Sequence, residues 1–381
     1  MSAPIFIIGS GFAAYQLIKT IRRYDQQKEI HVFTNDHGHD YNKPDLSHVF
    51  SKQQSSADLI RMTGEEFANE YKISLHAFTS VSSINTQKQS ISVNGEELNY
   101  SKLVLATGAK AIIPGMEGDA VDQVLTLNSL QEFEASRLKI QQAKSVLVIG
   151  GGLIGTELAM DLDSCGKKVI IADPHTSLMA SMLPEFIATQ LQKSLVESGS
   201  VLALGDTVSS LNKSESGIKV ALNSGKIYQV DCVISAAGLQ PNISLARQAE
   251  LQTNRGIVVN QQLQTSDENI YALGDCAEIN GKVMAYLQPI MLSANTLAKI
   301  LLAQQTTLQL PAMLIKVKTP KLPIQMAGQT VIGVDSWQVD IDAQGYSVKS
   351  YDSEKNLIGF IVTQQHMSKA FPMMRELPAN L

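Results

Sequence analysis

Two short stretches of the chain carry residues able to grip a phosphate chain. Gly9-Ser10-Gly11-Phe12-Ala13-Ala14 follows the apolar run Ile5-Phe6-Ile7-Ile8, and Gly150-Gly151-Gly152-Leu153-Ile154-Gly155 follows Val146-Leu147-Val148-Ile149. A glycine turn between a strand and a helix lets the backbone approach a pyrophosphate. The helix start adds unpaired N–H groups and the positive end of its dipole. One such turn is often only structural. Two, each ahead of an amphipathic helix, point to two dinucleotides. An acid some twenty residues further on holds a ribose hydroxyl. Asp173 closes "KKVIIAD", eighteen residues past Gly155. An acid there repels a 2′-phosphate and so favours NAD over NADP. In the first unit "EIHVFTND" ends at Asn35-Asp36, slightly late for the same contact. A chain with two dinucleotide grips suggests a relay between a soluble hydride donor and a resident group that splits a hydride into single electrons. Flavin is such a group.

These residues need strands and helices to position them, and the pattern supplies both. Residues 4–36 and 145–173 each read strand, glycine turn, helix, strand, the size of a βαβ unit. The first helix shows an apolar face through Ala14, Leu17, Ile18 and Ile21, the second through Leu158, Ala159 and Leu162. "ISVNGEELNY" predicts a hairpin about Asn94-Gly95. Buried strands end at the turns Thr107-Gly108, Gly238 and Gly274-Asp275. Pro184 opens and Gly199 closes a helix whose buried face is expected at Phe186, Ile187, Leu191, Leu195 and Val196. Beyond Pro311 the texture turns to short β-like runs. The expected architecture is α/β: two doubly wound (Rossmann-like) nucleotide-binding domains, the second inserted in the first, plus a small α+β C-terminal domain. The boundaries expected are 1–110 with 235–311 for the FAD-binding domain, 111–234 for the NAD-binding domain and 312–381 for the last.

Composition narrows the classes. The chain has 381 residues, 44% hydrophobic and 18% charged, enough to bury more than one core. A net charge of −5 argues against a general nucleic-acid binder. No apolar run is long enough to span a membrane. Pro4–Ile8 lacks a basic leader and breaks at glycine, so it reads as a buried strand and not a signal peptide. Cys165, Cys232 and Cys276 are scattered, with no CxxC, which speaks against a zinc site and against a local redox disulfide. A cytoplasmic protein with reduced thiols is expected.

The chain resembles the pyridine-nucleotide–disulfide-reductase-like flavoproteins, and within them the rubredoxin reductases, over essentially its whole length. The motifs are "IIGSGFAA", "YNKPDLSH", "KLVLATGA", "VIGGGLIGTELAMD", "ALGDCAEI", "LQPI" and "KTPKLP". The resemblance implies that Gly9, Gly11, Phe12 and Ala13 line an FAD pyrophosphate site and that Asn35 or Asp36 faces the ribose. It places the Lys43-Pro44 pair beside the flavin and Val81 at adenine through its backbone. Ala106, Thr107 and Gly108 then close over the cofactor, Asp275 binds ribityl or pyrophosphate oxygens, and Gln288 and Pro289 lie near the pyrimidine edge. Gly150, Gly152, Ile154, Gly155, Glu157, Asp173 and Gly238 are implied to hold NAD(H). Relatives acting on peroxide or disulfides carry a cysteine where this chain has His48. In the ferredoxin-reductase branch a lysine there faces the equivalent of Glu157. His48 either meets Glu157 across the nicotinamide pocket or only packs beneath the flavin; Lys43, His48 and Glu157 are the expected catalytic set. The implied partner is an acidic electron-transfer protein, rubredoxin or flavorubredoxin, with no nucleic acid or membrane. Nitric oxide reduction follows from the resemblance alone.

Other residues have competing readings. His37, His39 and Asp40 in "DHGHDY" suggest a metal site or, better, a solvated loop. Cys276 reads as an inert buried thiol. Trp337, the one tryptophan, is expected in the core. Lys316, Lys318 and Lys321 form either an ordinary solvated strand face or a landing patch for an acidic partner. Two other functions stay open: an NADH oxidase, peroxide or disulfide reductase acting directly on a small molecule, and a flavin-bearing NADH-sensing interaction protein.

Overall fold

The computed structural model describes residues 3–319 and 322–378. Its first sheet is five-stranded and parallel, in the order Ile270–Ala272, Lys102–Leu105, Ile5–Ile8, Ile30–Phe33, Ser74–His76. Ile5–Ile8 is buried along its whole length, as a central parallel strand covered on both faces must be. The Phe12–Tyr24 helix follows it, burying Ala14, Leu17, Ile18 and Ile21 completely. It packs against the Leu287–Leu301 helix.

A second parallel sheet runs Val201–Leu204, Lys168–Asp173, Ser145–Ile149, Cys232–Ser235. All of its strands lie in sequence between the fourth and last strands of the first sheet, so the second unit is inserted in the first. The chain crosses between the units twice, and the crossings pair as an antiparallel ribbon, Ala109–Ala111 with Leu239–Pro241. The expected hairpin is present: Ser90–Val93 pairs with Glu96–Asn99, and Asn94 (φ 51°) and Gly95 (φ 85°) both take the left-handed conformation of its tight turn.

The C-terminal sheet is antiparallel, in the order Ile315–Val317, Ile324–Gly328, Leu357–Thr363, Gly345–Tyr351, Ser336–Asp342. It does not stand apart. Val317, Ile324, Met326 and Ile361 belong to the same apolar core as Leu158, Leu162, Leu178 and Ile187 of the second unit.

Two sequence expectations fail. The Glu185–Glu197 helix buries Ile187, Ala188, Leu191 and Leu195, but Phe186 and Val196 are exposed, because the buried stripe is narrower than the apolar one. Trp337 is not in the core. It is 38% exposed on the edge strand, where its indole Nε1 donates to the Thr330 carbonyl at 3.0 Å and its ring meets the edge of Phe186. A half-buried edge suits an apolar ring with a polar N–H, which the Thr330 carbonyl satisfies.

Candidate functional site

The two glycine turns open onto one cavity of about 1680 Å³. At Gly9 and Gly150 the backbone passes too close to a neighbouring strand end to admit a side chain. A Cβ on Gly9 would lie 2.2 Å from the Ala106 carbonyl oxygen, and one on Gly150 would lie 2.5 Å from that of Ala236. Gly155 lets its helix sit on the strand end, since a Cβ there would lie 1.9 Å from the Gly150 oxygen. Gly11 and Gly152 are different. Each is the N-cap of its helix with a φ near −70° that any residue adopts, and a Cβ on either would meet nothing within 4 Å. Neither helix has a side-chain cap or an acid in its first turn. Packing and backbone geometry leave these two glycines unexplained; a phosphate chain laid on unscreened N–H groups explains both. The residues present therefore fit two dinucleotides.

The structure brings most of the expected residues to the cavity wall. Around the first turn these are Gly9, Gly11, Phe12, Ala13, Asn35 and Asp36. Ala106, Thr107, Gly108 and Asp275 line the cavity beside that turn, and Lys43, Pro44, Gln288 and Pro289 line it too. Around the second turn lie Gly150, Gly152, Ile154, Glu157, Asp173 and Gly238. Three do not line it. Gly155 lies behind the turn. Val81 starts a meander strand paired to Val93 and packs against the first core. His48 sits behind Glu157.

Among the acids, Asp36 Oδ1 is already engaged by the hydroxyls of Ser10 (2.9 Å) and Thr34 (2.8 Å) and the N–H of Gly38 (2.8 Å). Its neighbour Asn35 is exposed on the cavity wall. Asp173, 8% exposed, accepts the Gly151 N–H at 2.6 Å on one oxygen, and on the other His175 N–H and Nδ1, each at 2.8 Å. Lys43 Nζ reaches Asp275 Oδ2 at 3.4 Å.

Glu157 is held by partners from two other segments of the chain. It is 5% exposed and lies on the cavity-facing side of the Leu153–Ser164 helix. Ser47 Oγ donates to it at 3.0 Å, the Lys318 backbone N–H at 2.9 Å, and His48 Nε2 lies 3.4 Å away. His48 and Glu157 thus stand at ion-pair distance without the alignment of a hydrogen bond. Burial by itself pushes the Glu157 carboxyl up, but His48 and the N–H and hydroxyl donors together outweigh it and hold the group below the ordinary range. Ser47 lies within "YNKPDLSH", but nothing in that motif marks its hydroxyl as a partner of Glu157, and no sequence signal marks the Lys318 N–H.

Lys316 and Lys318 are exposed at the cavity mouth, and Lys318 Nζ lies 3.5 Å from the Pro44 carbonyl oxygen. Lys321 lies outside the described residues. The mouth also carries exposed Tyr286, Leu287 and Phe371. The "DHGHDY" residues have structural partners: His39 Nδ1 accepts the Gly64 N–H at 3.0 Å, His37 stacks on His39, and Asp40 pairs with Lys19 at 2.6 Å. Cys276 is fully buried, its thiol pushed up by desolvation, and lies off the cavity wall.

Known families match almost the whole chain. Residues 3–300 match the family model "Pyridine nucleotide-disulphide oxidoreductase", and residues 307–377 match "Rubredoxin binding C-terminal domain". The chain is 57% identical over 377 residues to the nitric oxide reductase FlRd-NAD(+) reductase of Aliivibrio fischeri, covering 99% of each. It is 46% identical over 381 residues to the protein of the same name from Pectobacterium atrosepticum, covering 100% of each. Among solved structures, a ferredoxin reductase from Rhodopseudomonas palustris superposes with a TM-score of 0.88 at 25% identity, over 97% of this chain and 93% of that one. The putidaredoxin reductase–putidaredoxin complex gives 0.89 at 23% identity over 98% and 92%, a likeness of fold. The resemblance read from the motifs is upheld, and the chain belongs to the pyridine nucleotide-disulphide oxidoreductases, flavin- and nicotinamide-dependent enzymes, here with a rubredoxin-binding C-terminal domain.

Proposed function

We propose that this protein is an NADH-dependent reductase that uses FAD to pass electrons to the iron centre of a rubredoxin-type partner, the rubredoxin domain of a nitric-oxide-reducing flavorubredoxin. The observation that carries the reading is the pair of uncapped glycine N-termini, Gly11 and Gly152, opening onto one cavity with Lys316 and Lys318 at its mouth. Relatives of the same length and high identity are named for this reaction. FAD, when bound, accepts a hydride and releases its two electrons singly.

The chain's own residues have distinct tasks. Gly9, Gly11, Phe12 and Ala13 hold the FAD pyrophosphate. Asn35 or Asp36 meets the ribose, and Lys43 with Asp275 fixes the middle of the cofactor. Gly150 and Gly152 hold the NADH pyrophosphate, and Asp173 takes its adenosine ribose and disfavours a 2′-phosphate. Glu157, held ionised by Ser47, His48 and Lys318, orients the carboxamide end of the nicotinamide at the flavin. Lys316 and Lys318 steer an acidic partner to the mouth, where Tyr286, Leu287 and Phe371 supply apolar contact. His48 stands where a reactive cysteine would serve direct disulfide chemistry.

Anaerobic stopped-flow tests this. The flavoprotein is reduced with one equivalent of NADH and mixed with oxidised rubredoxin domain, or in parallel with oxygen or peroxide. Faster reoxidation by the iron protein is the expected result. Faster reoxidation by oxygen or peroxide would replace this reading with a small-molecule oxidase.

A further inference from the structure

The segment Lys43–Ser51 connects the two halves of the site, and two carboxylates on one helix grip it. Glu157 takes the Ser47 hydroxyl and stands beside His48. Four residues on, Asp161 accepts the Phe50 N–H at 2.9 Å, the Ser51 N–H at 3.3 Å and the Ser51 hydroxyl. A spacing of four puts both acids on one face of the Leu153–Ser164 helix. Asp161 is 4% exposed and does not line the cavity. It takes part in none of the ion pairs among the described residues. Burying a carboxylate without a cation is costly unless hydrogen-bond donors satisfy its oxygens. Here the donors belong to the turn that ends the Lys43–His48 stretch, whose other end reaches Asp275.

We propose that Asp161 is a positioning residue for hydride transfer: by clamping Phe50 and Ser51 to the helix it fixes Ser47 and His48 against Glu157 and, at the other end of the stretch, Lys43 toward Asp275. This rests on the reductase reading above. Asp161→Asn keeps the size but removes the charge and leaves one acceptor oxygen for the Phe50 and Ser51 donors that now share two, so the clamp is weakened. Misplacement by about 1 Å can slow a reaction on the order of a hundredfold.

The test compares wild type, Asp161→Asn, Ser51→Ala and the control Asp163→Asn, a residue of the same helix whose carboxylate accepts the Ser200 hydroxyl and takes no part in the clamp. Two quantities are read on the FAD-loaded protein: the limiting rate of flavin reduction with the NADH dissociation constant, and hydrogen exchange at the Phe50 and Ser51 amides. Asp161→Asn is expected to lower the limiting rate at least about tenfold, with NADH affinity within about twofold, and to speed amide exchange about tenfold or more. Ser51→Ala, which spares the backbone donors and the fold, is expected to act in the same direction more weakly, and Asp163→Asn to change neither. Faster exchange with an unchanged limiting rate would overturn the proposal and leave Asp161 a purely structural group. Unchanged exchange would overturn the clamp itself. If NADH fails to reduce the wild-type flavin, the reductase reading falls, while the exchange data still report on the clamp.

Discussion

At the scale of single residues, Glu157 is held as an anion by partners distant in sequence, and that has a pH consequence. Its carboxyl sits below the ordinary 4.5 in the folded protein, so the folded state binds fewer protons than the unfolded state in that window. The stabilisation is complete above 4.5 and is lost as pH falls through the lower folded value. Glu157→Gln should therefore cost about 1–3 kcal/mol at pH 7, and the gap in Tm to wild type should narrow progressively below pH 4.5, as thermal scans across pH would measure. Asp173→Ala should lower the ratio of kcat/KM for NADH over NADPH by about tenfold or more, since one repulsive charge facing a 2′-phosphate is removed; steady-state kinetics with both nucleotides checks it. Asp173 was legible because acid and glycine turn share one βαβ unit. The partners of Glu157 were less so: His48 came through the resemblance, and the Lys318 N–H lies 161 positions away.

At the scale of elements, the glycines divide by what surrounds them. Gly11→Ala and Gly152→Ala put a methyl into open space, so each should cost about 1 kcal/mol or less in stability, the usual size of an N-cap change. Each should still weaken one ligand selectively, FAD for Gly11 and NADH for Gly152, as titration of the apoprotein and of the flavoprotein would show. Gly155→Ala should behave in the opposite way. Its methyl would press on the Gly150 carbonyl, and the overpacking should cost about 1–3 kcal/mol. A motif written GxGxxG does not separate these roles; only the space around each Cα does. The strand–turn–helix units themselves were readable, because hydrophobic period and glycine placement are local. The buried face of the Glu185–Glu197 helix was misread at Phe186 and Val196, because an apolar side chain is not obliged to be buried.

At the scale of the molecule, the C-terminal sheet shares its core with the second nucleotide unit. Residues from 312 onward should therefore not survive as a separate folded fragment, and limited proteolysis should release no stable C-terminal piece before the second unit unfolds. Lys316 projects from this sheet at the cavity mouth. Lys316→Glu should slow association with an acidic partner several-fold at low salt, an effect that shrinks as ionic strength rises because exposed charges are screened over about 10 Å at 0.1 M. Stopped-flow rates against salt concentration measure it.

By itself the sequence determined two strand–glycine–helix units, their order along the chain and the acid that closes the second. Those features are written in residues a few positions apart, where backbone sterics and periodicity act. The tertiary structure decided which atoms meet: Glu157 with Ser47 and Lys318, Asp161 with the Phe50–Ser51 turn, Trp337 at an edge and not in the core, and the C-terminal sheet against the second unit. Those contacts join residues far apart in the chain. They depend on how whole units pack, and burial then forces each polar group to find whichever partner the packing brings.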